Sequence, residues 1–537
     1  MAAKISPRKE HFASPSPLSL IQKLVLQLKR WNHTSSREGE VVPLRDVATV
    51  REGSYDPSTW KSLDSRRAGI RNSDISSPTW TVLKILQHKG FDAYLVGGCV
   101  RDMLLKRKPK DFDIVTTASL RQIKKNFHRS RIMGRLFPIC HVEIRGSIVE
   151  VSSFGTTHRN VKEREATHSS PIATNCDEKD FIRWKNCMER DFTINGLFYD
   201  PFKNIIYDYI NGMKDLRTCK VRTVIPAHLS FSEDSARILR GLRIAARLGL
   251  QCSSDVTTAI HDLSSSIMNL NKSRLMMELN FMLAYGAAEP SIRLLQKFKL
   301  LEILLPFHAA YLAEQTSHQP TQSSIMLMKL FSNLDKVLSA DRPSDCNLWL
   351  ALLAFHLALV DHPQDALVVW TFASILFHGI WTKGVQFARE NVIDVTFAPE
   401  ISAPSGTKSN ESLLEDVSHL ASLVKSSLSS LTNTDALRQS MTRYPKLASC
   451  FCLILVSEKM GNNIAKLFDE LEKDIKSYDK QRQKCEIDYE LLKKGDQDET
   501  RFVLGKIIMD TMRTNLATEP SAKVTGKSSP LLSKLFI

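Results

Sequence analysis

The sequence predicts an α+β fold: a small mixed sheet with helices in the first half, followed by an all-α neck, body and tail. Three observations predict it. Residues 93–115 read as strand, diglycine turn, short helix and second strand. Residues 139–151 read as a hairpin turning at Arg145-Gly146-Ser147. From Ser232 onward the apolar residues recur at helical spacing, and the most apolar runs, Leu348–Val360 and Leu367–Trp381, have no strand alternation.

A chain of 537 residues is long enough for several cores. Its 73 Lys and Arg against 58 Asp and Glu leave a net charge of +15, which suits a polyanionic partner. Part of that excess lies at the start. Residues 1–35 carry six Lys and Arg against the single acid Glu10, are Ser-rich, and hold one amphipathic stretch, Leu18–Leu28. This is the composition of an organelle transit peptide, with a basic disordered tail as the alternative. The expected compartment is chloroplast or mitochondrion, with nucleus or cytoplasm as the alternative. Residues 36–77 have no sustained period and are expected to be mostly unstructured, so the segment 1–77 is set apart from the fold.

The ten cysteines form no CxxC pair and no zinc-like grouping, and all ten read as reduced thiols. The two apolar runs fall short of the roughly 20 residues a membrane span needs, and each contains a histidine. No membrane and no obligate protein partner is implied. His356 and Asp361 are not adjacent, so no metal-dependent phosphohydrolase motif is present.

In the first catalytic stretch, Leu95 and Val96 end a strand and Gly97-Gly98 turn the chain into a helix over Val100–Leu105. Without Cβ atoms, the two glycines let a ligand approach their N–H groups, where a helix start favours an anion such as phosphate. Asp111 and Asp113 flank Phe112 in a β-prone run, so alternation puts both carboxylates on one face. Paired hard oxygen donors beside a phosphate cradle suit Mg²⁺.

This stretch resembles the nucleotide-binding signature of the polymerase-β-type nucleotidyltransferases, and more narrowly the branch holding tRNA CCA-adding enzymes and bacterial-type poly(A) polymerases. Their pattern is Gly-Gly-x-Val-Arg-Asp followed by Asp-x-Asp. It is met by Gly97, Gly98, Val100, Arg101, Asp102, Asp111 and Asp113. The resemblance implies a nucleotidyltransferase head over residues 78–210, a helical neck over 211–310 and a helical body over 311–400.

After Asp113 a helix is expected over Leu120–Phe127. The hairpin that follows, laid antiparallel beside the acid strand, would bring Glu150 to the acid pair as a third carboxylate; a surface glutamate on an edge strand is the bland reading. Ile132–Val142 resembles the short signature that marks bacterial poly(A) polymerases, with Leu136 where a second basic residue is usual; beyond the Glu150 strand, Gly155 follows Phe154 where the family tends to have an Arg. Residues 157–187 are polar and irregular and read as a loop.

Glu189–Asn195 resembles the family's Arg-Arg-Asp-Phe-Thr-Ile-Asn motif, with Glu189 replacing the first Arg. By that resemblance Arg190 joins Gly97, Gly98 and Arg101 in holding a triphosphate, and Asp191 and Asn195 meet a ribose edge. Asp208–Leu216 reads as a turn into the neck, with Asn211-Gly212 at its tip.

Ser232–Arg243 is then expected to open a helix capped by Ser232, with Asp234, Arg237, Arg240 and Arg243 on an i, i+3 ladder. The run resembles the family's Glu-Asp-x-x-Arg motif, whose side chains select the incoming base. Asp234 accepting from an exocyclic amine and Arg237 donating to the neighbouring ring nitrogen would admit ATP or CTP and reject GTP or UTP. Arg274 and Glu278 are expected to brace the neck.

Beyond residue 310 the resemblance fades. Residues 401–433 read as a linker and short helix, 434–513 as a helical tail with a solvated charged stretch at Glu458–Lys494, and 514–537 as a disordered basic tail. The implied activity is template-independent addition of AMP from ATP to RNA 3′ ends. Two Mg²⁺ ions on Asp111 and Asp113 are the expected cofactors, one to acidify the RNA 3′-hydroxyl and one to neutralise the triphosphate. CCA addition to tRNA, and a catalytically inactive RNA-binding relative, are the alternatives.

Overall fold

The structure is a computed structural model. It describes residues 55–134, 138–156, 177–318, 325–391, 397–404, 408–445, 453–480, 482 and 486–513. The expectations for residues 1–54, Leu136 and 514–537 lie outside these, as does most of the loop expected at 157–187.

Eight strands form one sheet: β1 (Lys61–Asp64), β2 (Ala93–Val96), β3 (Asp113–Thr116), β4 (Ser130–Met133), β5 (Ile139–Ile144), β6 (Ser147–Ser153), β7 (Phe198–Asp200) and β8 (Ile205–Asp208). Their order is β1-β8-β7-β2-β3-β6-β5-β4. The sheet is mixed, as predicted: β3 and β6 run parallel while their neighbours pair antiparallel. The helices Ser77–His88 and Leu120–Asn126 send Val82, Leu83, Leu86 and Ile123 into the core. Each is capped by a serine, Ser76 or Ser119, whose hydroxyl accepts an amide of the first turn.

Three expectations about the head are corrected. Residues 55–77 are structured: β1 pairs with β8 as the edge strand, which extends the sheet upstream of residue 78. With the first half of 36–77 outside the described residues, it is the four-residue length of β1 that hid it, too short to show a period. Second, Glu178–Met188 is an amphipathic helix rather than loop, with Asp177 as its cap and Arg183, Trp184, Cys187 and Met188 buried. A charged first turn disguised it. Third, β6 lies parallel to β3, not antiparallel, although β5 and β6 form the expected hairpin.

The rest is helical. Asp208 closes the sheet and accepts from the amides of Gly212 and Met213, each at 2.9 Å, so the sheet's last strand caps the first helix of the neck, Gly212–Arg217. In the body, Cys346–Asp361 and Ala366–His378 are buried nearly all round, as the apolar runs predicted. No helix among the described residues is long and apolar enough to cross a membrane. The six cysteines among the described residues are free thiols.

Residues 401–433 are less linker than expected. Ile401–Ser402 pairs with Gln364–Asp365, and Asn410–Thr432 is a helix of 23 residues packed on Cys346–Asp361. Glu458–Lys494 is broken into the short helices Glu458–Ala465, Asp469–Lys473 and Tyr489–Lys494, with Phe468, Leu471 and Tyr478 buried. The last helix, Gln497–Arg513, is no peripheral tail. It packs against Met326–Val337 and Ala366–His378 and is largely buried.

Candidate active site

The site lies where β2 ends. Gly97 has φ +77°, and the helix it starts, Gly98–Leu104, begins two residues earlier than predicted. A Cβ on Gly97 would come within 3.1 Å of Arg190 Nη1 and 3.4 Å of Asp113 Oδ2. The glycine is needed both for its backbone angle and for its lack of a side chain. It brings a cation and an acid together at the diglycine bend.

Sheet register supplies the second acid. Asp113 opens β3 and lies opposite Glu150 in β6, so both side chains leave the same face. Val96 lies opposite both Asp113 and Phe198, and Phe198 lies opposite Tyr207. One face of the sheet therefore runs from the acids to an aromatic patch. Asp111 is placed differently from expectation. It sits in a bend before β3, its side chain 65% exposed and paired with Lys110 at 3.5 Å. The chain leaves the loop after Pro109 only at Asp113, too late for strand alternation to align the two aspartates. Asp111 is still close enough to act on Asp113. Burial first, then Glu150 and Asp111, push the Asp113 carboxyl up to about 6, against the pull of Arg190. Glu150 is half-exposed, with His141 Nε2 3.5 Å away.

These are hard oxygen donors, a set that fits a divalent cation. No group of three or more metal-ligating side chains among the described residues is closed enough to hold an ion alone. An ion here would need phosphate oxygens or water to complete its shell.

Arg190 reaches the bend because the helix before it is anchored. Arg183 is buried, donates to the hydroxyls of Tyr209 (2.6 Å) and Tyr94 (2.8 Å), pairs with Asp180, and lies over the Tyr207 ring at 4.2 Å. This clamp holds Glu178–Met188 over the aromatic patch, and the chain emerges from it at Arg190. The Arg190 guanidinium then donates to Asn195 O and Asn186 Oδ1, both at 3.3 Å, and lies 5.8 Å from the Phe198 ring centre. Sequence reading missed this anchoring. Its one visible signal was the tyrosines at 207 and 209.

The remaining candidates form an internal chain of contacts. Arg101 is buried and donates to Asp102 Oδ1 (2.9 and 2.7 Å) and to Asn195 Oδ1 (2.6 Å). Asn195 Nδ2 donates to Asp191 Oδ1 at 3.0 Å, and Arg240 Nε lies 2.7 Å from Asp191 Oδ2. Arg247 approaches Asp102 Oδ2 at 3.2 Å. Burial works to raise the Asp191 carboxyl, but Arg240 and the hydrogen bonds from Asn195 and the Phe192 amide hold it below its ordinary value. Arg101, expected to help hold the triphosphate, makes these contacts with protein partners in this structure.

The expected base-reading ladder is also corrected. The helix Ala227–Glu233 ends at Asp234, which is extended (φ −151°), and a new helix starts at Ala236. Ser232 lies inside the first helix and caps nothing. Asp234 Oδ1 takes the capping role, accepting from the Ala236 amide at 3.0 Å. Asp234 and Arg237 therefore do not share a helical face. Arg237 Nη1 instead turns back to Glu233 Oε2 (3.0 Å) and Ser230 Oγ (3.0 Å). Arg243 pairs with the buried Glu278 at 3.1 Å, and Arg274 approaches the same carboxylate at 3.3 Å. The Arg243–Glu278 pair joins two neck helices, and Arg274 supports it from the helix that carries Glu278.

Two stretches of the chain match known protein families. Residues 93–222 match the model of the poly A polymerase head domain, and residues 249–312 match the model described as a probable RNA and SrmB-binding site of polymerase A. The chain is 35% identical over 263 residues to poly(A) polymerase I of Haemophilus influenzae, covering 49% of this chain and 58% of that one. It is 34% identical over 247 residues to poly(A) polymerase I of Escherichia coli (46% and 53%). It is 29% identical over 286 residues to the CCA-adding enzyme of Staphylococcus epidermidis (53% and 62%). The chain spans little more than half the length of these relatives.

Proposed function

We propose, for a chain that carries the head and RNA-binding domains of the poly(A) polymerases, that it is a template-independent RNA nucleotidyltransferase transferring AMP from ATP to RNA 3′ ends. The observation that carries this is the meeting of Gly97, Arg190 and Asp113 at one bend, with Glu150 beside Asp113.

Arg190 binds the triphosphate as a fixed charge at the diglycine turn. Asp111, Asp113 and Glu150 would hold divalent cations, which when bound lower the pKa of a hydroxyl and neutralise phosphate charge. The contacts Arg101–Asn195–Asp191–Arg240 fix the floor beneath the nucleotide and so orient the α-phosphorus. The RNA 3′-hydroxyl oxygen bonds to that phosphorus and gives up its proton. The bond to the β-phosphate oxygen breaks, and its electron pair leaves with pyrophosphate.

Base choice rests on Asp234, whose second carboxylate oxygen accepts from an adenine or cytosine amine. Arg237 contributes once it leaves Glu233. Adenylate transfer is favoured over CCA addition by the Ile132–Val142 stretch and by the higher identity to poly(A) polymerase I. The test is incorporation of labelled ATP into a generic RNA by the purified chain, with and without Asp113→Ala. Ordered CTP and ATP addition to tRNA lacking its CCA end would replace this reading with CCA addition. Absence of pyrophosphate release from either protein would leave an RNA-binding relative.

A further inference from the structure

We infer that Phe281 and Tyr285 are the platform on which the 3′-terminal base of the RNA primer stacks, with Lys110 receiving its phosphate. This rests on the nucleotidyltransferase reading above and adds the residues that hold the second substrate.

Phe281 lies near the end of the neck helix Lys272–Leu283, and Tyr285 follows two residues beyond it. Both rings are partly exposed and meet edge to face, centres 5.2 Å apart. The Lys110 ammonium lies 5.1 Å from each ring centre and 3.5 Å from Asp111 Oδ2. The Arg243 guanidinium lies 5.2 Å from the Phe281 centre. Two aromatic rings thus stand one lysine side chain away from the acids, flanked by two cations, on the surface where the neck meets the head.

A structural reason alone, a cation resting on aromatics, accounts for less. At a partly exposed site that contact is weak, whereas a nucleobase stacked on an aromatic is held more strongly. A base can displace the lysine, which then has a phosphate to move to. The rings are held for this. Asn280 Oδ1 accepts from Trp349 Nε1 at 2.9 Å, and Ala284 O accepts from the Ser344 amide at 3.1 Å. Gly286, at φ +75°, packs so tightly on Leu338 that a Cβ would lie 2.5 Å from its carbonyl oxygen. A platform fixed before binding costs little to order. Stacking is also indifferent to base identity, which suits an enzyme that must accept any 3′ end and then its own product. Both rings fall within the stretch matched to the RNA-binding model.

The test uses the full chain and a fluorescent oligoadenylate, with a second oligomer lacking only its 3′-terminal base. Phe281→Leu and Tyr285→Leu keep apolar bulk, and Tyr285→Phe should restore function. Each leucine variant is expected to raise KM for the oligomer about tenfold and leave KM for ATP unchanged. The abasic oligomer should bind the unaltered protein about tenfold more weakly and bind the leucine variants no worse. Lys110→Met should flatten the salt dependence of RNA binding. Rings that affect KM for ATP instead of RNA, or an abasic oligomer that binds as well as the intact one, would overturn the proposal. If no nucleotide is incorporated at all, the catalytic reading fails, and the two oligomers' binding still judges the platform.

Discussion

Asp113 and Glu150 lie directly opposite each other on parallel neighbouring strands, and burial first, then the charge of Glu150, raises the proton affinity of Asp113. In the folded chain the Asp113 carboxyl titrates near 6, above its ordinary value. The folded state therefore holds this proton more tightly than the unfolded state does. Above pH 6 the ionised carboxylate detracts from stability, and the penalty fades as pH falls through 6 toward the unfolded value.

Asp113→Asn should abolish nucleotide incorporation yet raise the melting temperature in EDTA at pH 7.5, by up to about 3 kcal/mol in stability. The gain should shrink at pH 5. Thermal melts across that range check it, and a variant less stable than its parent at pH 7.5 would contradict the assigned crowding of acids. Glu150→Gln should move the inflection to lower pH.

Gly97→Ala places a methyl against Arg190 and Asp113 at a positive φ. The expected outcome is a loss of ATP affinity of at least tenfold, with the circular dichroism of the helical body unchanged. Gly146→Ala, at a hairpin turn with open space around it, provides the control: also strained by its φ of +79°, but without effect on ATP.

Asn195→Ala breaks the contacts between Arg101 and Asp191 and leaves buried polar groups unmet. It should cost about 1–3 kcal/mol in stability and lower incorporation as well. Asn195→Asp should not rescue it. A second carboxylate beside Asp191 adds repulsion where an amide bridged donor and acceptor.

His356 is buried in the body and neither ring nitrogen has a hydrogen-bond partner among the described residues. Burial, and then the neighbouring His308, hold its pKa well below the usual histidine value. His308 is itself pushed down to about 4, by burial. Both remain neutral when folded but bind protons when unfolded, so stability is lost as pH falls below about 6.5 toward 4. His356→Met, of similar volume, should stabilise the body at pH 7.5 by about 1 kcal/mol and blunt that acid sensitivity. Denaturant titrations at pH 7.5 and 5 read both effects.

A fluorescent fusion of residues 1–54 should enter an organelle on its own. The fusion ends there because β1 begins at Lys61 and belongs to the sheet. A fusion that stays in the cytoplasm would remove the proposed import signal.

Much of the site was legible where chemistry and local geometry coincide. Gly97-Gly98 marked the bend, the hairpin predicted a return strand carrying Glu150, and the apolar runs marked the body helices. What failed depended on where an element begins. Asp111 misses the strand by two residues, and Asp234 falls in a break between helices that no periodicity reveals, since Ser-Glu-Asp-Ser continues a helical pattern on either side. Beyond the tyrosines at 207 and 209, nothing in the sequence showed the Arg183 clamp, because Tyr94 comes from β2, Tyr207 from β8, Tyr209 from just past β8, and the arginine from a helix between them in sequence. Only the tertiary fold brings them together.

The helix Gln497–Arg513 occupies the interior of the body, while all eight strands of the head are complete by Asp208. During translation the nascent head can assemble while well over half of the 537 residues remain to be made. The body must wait, apolar helices exposed, for its last segment to emerge. Chaperone dependence should therefore fall on the second half of the chain.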